Sequence, residues 1–164
     1  MLEDVNKARQ ILTSLSETLR YSLTKNSLDS ITLEDELDVV DKYVEISKIQ
    51  FEDRLQFQKE VDPHTLSIEI PPMLVQMLVE NAIKHGISNL KEGGILRLST
   101  GIIDNILKIE VSNPGQLKEV KNTTKLGLKN IEKRLRLLYG NKAKFTLESF
   151  EDKVKAIVKI PLEA

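Results

Sequence analysis

The spacing of apolar residues changes period along the chain, and each change marks an element. From about Leu2 to Leu23, Val5, Ala8, Leu12, Leu15 and Leu19 recur at steps of three and four, the seam of a helix packed on another helix. Thr32 with Asp35 forms a Ser/Thr-x-x-Asp/Glu helix start, and Leu33, Leu37, Val40 and Val44 continue a seam to about Phe51. A polar turn near Lys25 to Ser30 would join the two as an antiparallel hairpin. Beyond Phe51 the period falls to two. Leu55, Phe57 and Val61, then Leu66, Ile68 and Ile70, predict two strands around an Asp62-Pro63 turn.

The period returns to 3.6 between Pro71 and Ser88. Pro72 suits a first helical turn and Gly86 suits a left-handed cap, which predicts a helix of about four turns. Val75, Leu78, Val79, Ala82 and Ile83 fall on one arc of it, with Gln76, Glu80, Asn81, Lys84 and His85 on the other. Gly93-Gly94 opens a strand through Leu96 and Leu98, Asp104-Asn105 turns it, and Leu107, Ile109 and Val111 return. A polar stretch from Ser112 to Thr124 leads to a helix from about Gly127 to Tyr139, closed by Gly140. A last hairpin pairs Ala143, Phe145 and Leu147 with Ala156, Val158 and Ile160 around Glu151-Asp152. Strands that alternate cleanly have one wet face, so helices should cover the other. The expected fold is a two-layer α/β sandwich with a mixed, mainly antiparallel sheet, preceded by a helical hairpin.

Composition narrows the function. The 164 residues hold 40% hydrophobic side chains and no run of about 18 apolar residues, so this stretch is expected to be soluble and not to span a membrane. A chain without cysteine has no disulfide or thiolate metal site, which fits a cytosolic setting. A net charge of −1 with 4% aromatics argues against a nucleic-acid binder.

The polar arc of the 71–88 helix carries a carboxylate, a carboxamide, an ammonium and an imidazole within about a turn. That mixture suits a metal–phosphate group, since Mg²⁺ takes hard oxygen ligands, few of them from protein, and a lysine neutralises phosphate. An ordinary amphipathic helix with a glycine cap reads equally well from these residues alone.

The run Pro71-Pro-Met-Leu-Val-Gln-Met-Leu-Val-Glu-Asn-Ala-Ile-Lys-His-Gly86 resembles the N box of the LytS-like sensor histidine kinases, whose catalytic domain has the GHKL (Bergerat) ATP-binding fold. Thr32-Leu-Glu-Asp-Glu-Leu37, Ile49-Gln-Phe-Glu-Asp-Arg-Leu55 and Gly127-Leu-Lys-Asn-Ile-Glu-Lys-Arg-Leu135 match in the same order, so the resemblance covers essentially the whole chain. It implies residues 1–51 as a remnant of the dimerisation and phosphoacceptor region and 52–164 as the ATP-binding catalytic domain. Asn81 would hold Mg²⁺, Lys84 and His85 would approach phosphate, and Glu80 stands where the family polarises the acceptor His.

Val111-Ser-Asn-Pro-Gly115 resembles the family's Asp-Asn-Gly box, with Asn113 in place of the Asp that meets the adenine amino group and Gly115 beside it. Gly127, Leu128 and Asn130 would form the phosphate-side helix, with Arg134 a further candidate. Lys125 replaces the first Gly of the usual Gly-x-Gly-Leu, and Lys153-Val154 stands where a Gly-Thr pair is common. The lid between Ser112 and Leu126 is expected to be mobile without nucleotide.

The implied activity is a histidine protein kinase of a two-component system that transfers the ATP γ-phosphoryl group to an upstream His. The acceptor motif of the family does not precede Leu19 to Leu23, and only His64 and His85 occur, so the chain is expected to be a fragment. Such a fragment is not expected to autophosphorylate alone. Implied partners are a response regulator with a receiver domain and a second copy through the N-terminal helices, the full-length protein being membrane-anchored. The alternative is a degenerate GHKL module that serves as a dimerisation or partner-binding scaffold without turnover. A GHKL-type ATPase outside two-component signalling is a third reading.

Overall fold

The computed structural model of the chain describes residues 4–12, 15, 30–116 and 122–162, and the backbone alone for 122–127. Helix α1 occupies 4–12. There follow β1 (Ile31–Thr32), α2 (Leu33–Phe51), β2 (Leu55–Val61), β3 (Glu69–Ile70), α3 (Leu74–His85), β4 (Gly94–Ile103), β5 (Ile106–Pro114), α4 (Asn122–Tyr139), β6 (Lys144–Phe150) and β7 (Lys153–Pro161). No helix among the described residues is long and apolar enough to cross a membrane.

Five strands form one sheet in the order β2-β4-β5-β7-β6. β2 runs parallel to β4, and the other three pairs are antiparallel. Leu96, Leu98, Leu107, Ile109, Val111, Ala156, Val158 and Ile160 are buried in a common core with apolar residues of α2, α3 and α4. The alternate positions, such as Arg97 and Lys159, are exposed. This is the expected sandwich, helices on one face and solvent on the other. Both expected hairpin tips form as well. Asp104 and Asn105 (φ 52° and 62°) and Glu151 and Asp152 (φ 46° and 60°) take the paired positive φ of a two-residue turn that matches strand twist.

α2 begins as its sequence predicts, with the Thr32 hydroxyl accepting the Asp35 N–H at 3.2 Å. Leu33, Leu37, Val40 and Val44 are buried in the same core as α3, and Lys59 of β2 pairs with Asp41 at 2.8 Å. The packing therefore runs across residues 51 and 52 without a break. At the N-terminal end, Val5, Leu12 and Leu15 are exposed, and Lys7 reaches Glu52 at 3.9 Å. Leu19 and all but Ser30 of the expected hairpin turn lie outside the described residues.

The strand expected over Leu66 to Ile70 shrinks to Glu69–Ile70, which pairs with β1 and not with the main sheet. The cause is local. Asp62 accepts the His64 N–H at 2.9 Å, and the Thr65 hydroxyl bonds the Asp62 carbonyl (2.6 Å) and the Thr100 hydroxyl (2.8 Å), folding the chain over the end of β4. The carbonyls of Leu66 and Ile68 then accept the N–H groups of Glu34 and Leu33 at the start of α2.

α3 starts at Leu74, so Pro72 precedes the helix instead of occupying its first turn. Met73 at the N-cap has φ 67° and provides no side-chain cap. α4 starts at Asn122, five residues before the predicted Gly127. A glycine inside a helix costs only about 1 kcal/mol, which the flanking residues offset. Gly127 thus lies in the second turn and does not present a helix N-terminus. Gly140 closes α4 in the left-handed region (φ 62°), its N–H on the Arg136 carbonyl at 2.8 Å.

Candidate functional site

The C-terminal end of α3 lies against the end of β5. Gly86 has φ −107° and ψ −83°, so the left-handed cap expected there does not form. What Gly86 provides is space: a Cβ on it would stand 2.1 Å from Asn113 Nδ2 and 2.5 Å from the Ala82 carbonyl oxygen. Asn113 is buried beside it, its Nδ2 donating to the Pro114 carbonyl at 2.9 Å. Gly94 yields in the same way to Pro114, whose Cγ would lie 2.3 Å from an added Cβ. The Gly115 N–H donates to the Asp152 carbonyl at 2.7 Å, and Val154 is the cross-strand partner of Asn113. The segment Asn113 to Gly115 is thus held between α3, the start of β4 and the β6–β7 turn.

The polar arc of α3 borders this place. Asn81 is half-buried, and its carboxamide makes no hydrogen bond among the described residues. Glu80 accepts from Lys84 at 2.9 Å, with the Lys84 side chain 61% exposed. His85 is exposed and its carbonyl accepts from Asn89 Nδ2 at 3.0 Å. Gln76, expected on this arc, is buried at the other end of the helix. The Tyr43 phenol of α2 is pushed up to about 12, first by burial and then by the negative charge of Glu80, which places these two residues within electrostatic reach.

Other candidates separate. The Arg134 guanidinium donates to the Pro72 carbonyl, at the far end of α3 from Gly86. A helix of this length spans about 18 Å, so Arg134 braces the fold there and does not meet Asn113. Leu128 packs on the core and Asn130 is exposed on α4. The side chain of Lys125, the surroundings of Gly127 and residues 117–121 of the expected lid lie outside the described residues.

Three residues shape the site without having been singled out in the sequence. Arg54 donates through Nη2 to the carbonyls of Leu90 (2.7 Å) and Ser88 (3.4 Å), holding the loop that leaves α3. Its own carbonyl would meet a Cβ on Gly93 at 1.9 Å. Glu36 bonds the start of α3, and Tyr43 lies within electrostatic reach of Glu80. Arg54 and Glu36 both lie inside the runs that carry the family resemblance, which was the available signal.

The donor set fits a Mg-nucleotide. An amide oxygen open on one side suits a hard cation that takes its remaining ligands from phosphate and water. The buried Asn113 carboxamide, one N–H of which is spent on the Pro114 carbonyl, still has its oxygen and its other N–H to offer a base edge.

A family model described as histidine kinase matches residues 1–55. The sensor protein LytS of Oceanobacillus iheyensis is 39% identical over 126 residues, which is 77% of this chain and 22% of that protein. The sensor histidine kinase BtsS of Escherichia coli is 34% identical over 139 residues, 84% of this chain and 25% of that protein. Over most of its length the chain is similar to the LytS-like sensor histidine kinases. It spans roughly a quarter of the length of these relatives. Among solved structures, the catalytic domain of the histidine kinase ThkA superposes with a TM-score of 0.62 at 20% identity, covering 81% of this chain and 95% of that one. ThkA in complex with the response regulator TrrA gives 0.62 at 22% identity, covering 97% of this chain and 49% of that one. The LytS-like chain therefore has the fold of a histidine kinase catalytic domain.

Proposed function

We propose that this chain is the ATP-binding catalytic part of a two-component sensor histidine kinase. The observation that carries the reading is the seat of Asn113 against Gly86, which brings the N-box helix and the base-recognition segment to one place. Mg-ATP, when bound, supplies the γ-phosphoryl group. Asn81 holds the metal, Asn113 and Gly115 receive the adenine edge, and Lys84 and His85 neutralise phosphate oxygens once Lys84 leaves Glu80. Glu80, freed of that pair, orients the acceptor His brought by a segment upstream of Leu19. Asn130 and the backbone near Gly127 and Leu128 complete the phosphate side, with Lys125 in the first turn of α4. Positioning and charge stabilisation account for most of such catalysis.

The division at residues 51 and 52 is one of role, since α2 shares the core. The uncovered Val5, Leu12 and Leu15 support a homodimer through the N-terminal helices. A response regulator is the proposed protein partner, the class of partner that ThkA has in its complex with TrrA. The full-length protein is proposed to be membrane-anchored with this part in the cytosol.

Titration of the chain with a fluorescent ATP analogue and Mg²⁺ tests the reading. The wild type binds, and Asn81→Ala loses at least about tenfold in Mg²⁺-dependent affinity, about 1.4 kcal/mol. Its fold stability stays within about 0.5 kcal/mol, as for a residue outside the core. Wild-type affinity in that variant removes Asn81 from the site. A wild type that fails to bind millimolar nucleotide favours the partner-binding scaffold.

A further inference from the structure

α2 meets α3 at two places separated by seven residues on each helix. Glu36, fully buried, accepts the Met73 N–H through Oε2 at 3.0 Å and the Gln76 N–H through Oε1 at 3.2 Å. Seven residues after Glu36, Tyr43 lies within electrostatic reach of Glu80, which is seven residues after Met73. The two helices therefore run side by side in the same sense.

Local backbone satisfies only part of the start of α3: the Leu74 N–H reaches the Pro71 carbonyl at 3.4 Å, whereas the Met73 and Gln76 N–H groups go to Glu36. The N-cap is Met73 in a left-handed conformation without a side-chain bond, and two prolines precede it. Free N–H groups at a helix start need an acceptor, and the helix dipole favours a negative one. Here the acceptor is a carboxylate from another element. That element lies wholly within the residues matched by the histidine kinase family model, whereas α3 lies outside them.

We propose that Glu36 is a positioning residue through which α2 sets the placement of α3, and so aims Glu80 and Asn81. The inference rests on the reading of those two residues given above. Hydrogen bonds of this kind fail beyond about 3.5 Å, so a shift of α2 by a fraction of an ångström either carries α3 with it or costs the cap. Both oxygens of one side chain are engaged, so rotation of α2 is resisted as well as translation. The arrangement couples whatever moves the upstream helices to the residues at the other end of α3.

Glu36→Gln tests this, because it keeps the volume and one acceptor but turns an NH₂ donor toward a backbone N–H. Amide exchange and ATP-analogue affinity are read on the same folded sample. Exchange at 73–76 and at 80–86 is expected to rise about tenfold, the weight of one hydrogen bond to a charged group, with β4 and β5 unchanged. Affinity falls by about threefold to tenfold. Glu36→Asp, which keeps the charge but withdraws it by one methylene, is expected to lie between the two and serves alone if Glu36→Gln does not fold.

Wild-type exchange at 80–86 overturns the proposal. So does a rise spread evenly over α3 and the sheet, which marks a loss of stability only. Unchanged affinity alongside faster exchange at 80–86 also overturns it, because α3 would then move without disturbing the site. A wild type that binds no nucleotide defeats the proposed function instead, and the exchange at 80–86 still decides the role of Glu36.

Discussion

The two ends of α3 are built on opposite plans. At the N-terminal end, Pro71, Pro72, Leu74 and Val75 are buried, the Glu36 carboxylate takes two backbone donors, and Arg134 takes the Pro72 carbonyl. Gln76 Oε1 is buried there without a hydrogen-bond partner among the described residues. At the C-terminal end, Lys84 and His85 are exposed, the Asn81 carboxamide makes no hydrogen bond among the described residues, and a glycine gives way to Asn113. One end spends its polar groups on the fold, and the other holds them where a ligand can reach. Under the proposed function, the half-buried Asn81 at this open end is the side chain left for the metal.

Gly86→Ala breaks that contrast most directly. The added methyl cannot sit 2.1 Å from Asn113 Nδ2, so either the Asn113 side chain leaves its seat or α3 shifts. The expected result is loss of more than about tenfold in nucleotide affinity together with about 1–3 kcal/mol of stability, the usual cost of overpacking. Urea unfolding and analogue titration measure both. Wild-type affinity in a folded variant would show that the recess at Asn113 is not where the base binds.

Arg134→Ala probes the other end and should show the reverse balance. Removing a part-buried guanidinium from the Pro72 carbonyl is expected to cost about 1.5–3 kcal/mol of stability. Nucleotide affinity measured below the unfolding transition should stay within about threefold, about 0.6 kcal/mol. A large loss of affinity with little loss of stability would return Arg134 to the phosphates.

The same contrast explains what could be read in advance. The sheet, its two-residue turns and the covered face follow from alternation and from Asp-Asn and Glu-Asp pairs at the tips, all local signals. The core of α2 and α3 follows from periodicity. The start of α3 was misread at Pro72 because its cap comes from Glu36, almost 40 residues away, and no local pattern encodes that bond. Gly86 was read as a backbone device because position alone suggests a cap, whereas its role is to admit Asn113, a contact across the fold. The start of α4 moved for the opposite reason: Gly127 reads as a break, and helix-tolerant neighbours carry the helix through it. That Glu80, Asn81, Lys84 and His85 share one helix face follows from their spacing. Their separation from Arg134 required the third dimension.

The smallest expected effect concerns Tyr43, where the structural side of α3 meets its open side. Burial, and then the negative charge of Glu80, raise this phenol to about 12 from its ordinary 10. Below about pH 10 it is protonated in the folded and unfolded chain alike, and its contribution to stability is fully present. As pH climbs from about 10 toward 12, the unfolded chain releases the proton first, so folding stability falls. The slope cannot exceed about 1.4 kcal/mol per pH unit, and partial solvent contact lowers it. Tyr139, raised by burial and then by Glu69, adds a slope of the same sign that is common to wild type and variant. Tyr43→Phe should therefore unfold in urea with a shallower loss of stability than wild type between about pH 9 and about pH 11, while binding nucleotide normally near neutrality. Glu80→Gln should recover a smaller part of the same slope, because charge is the second cause and burial the first. Equal slopes in wild type and Tyr43→Phe would mean that Tyr43 is open to solvent and beyond the electrostatic reach of Glu80.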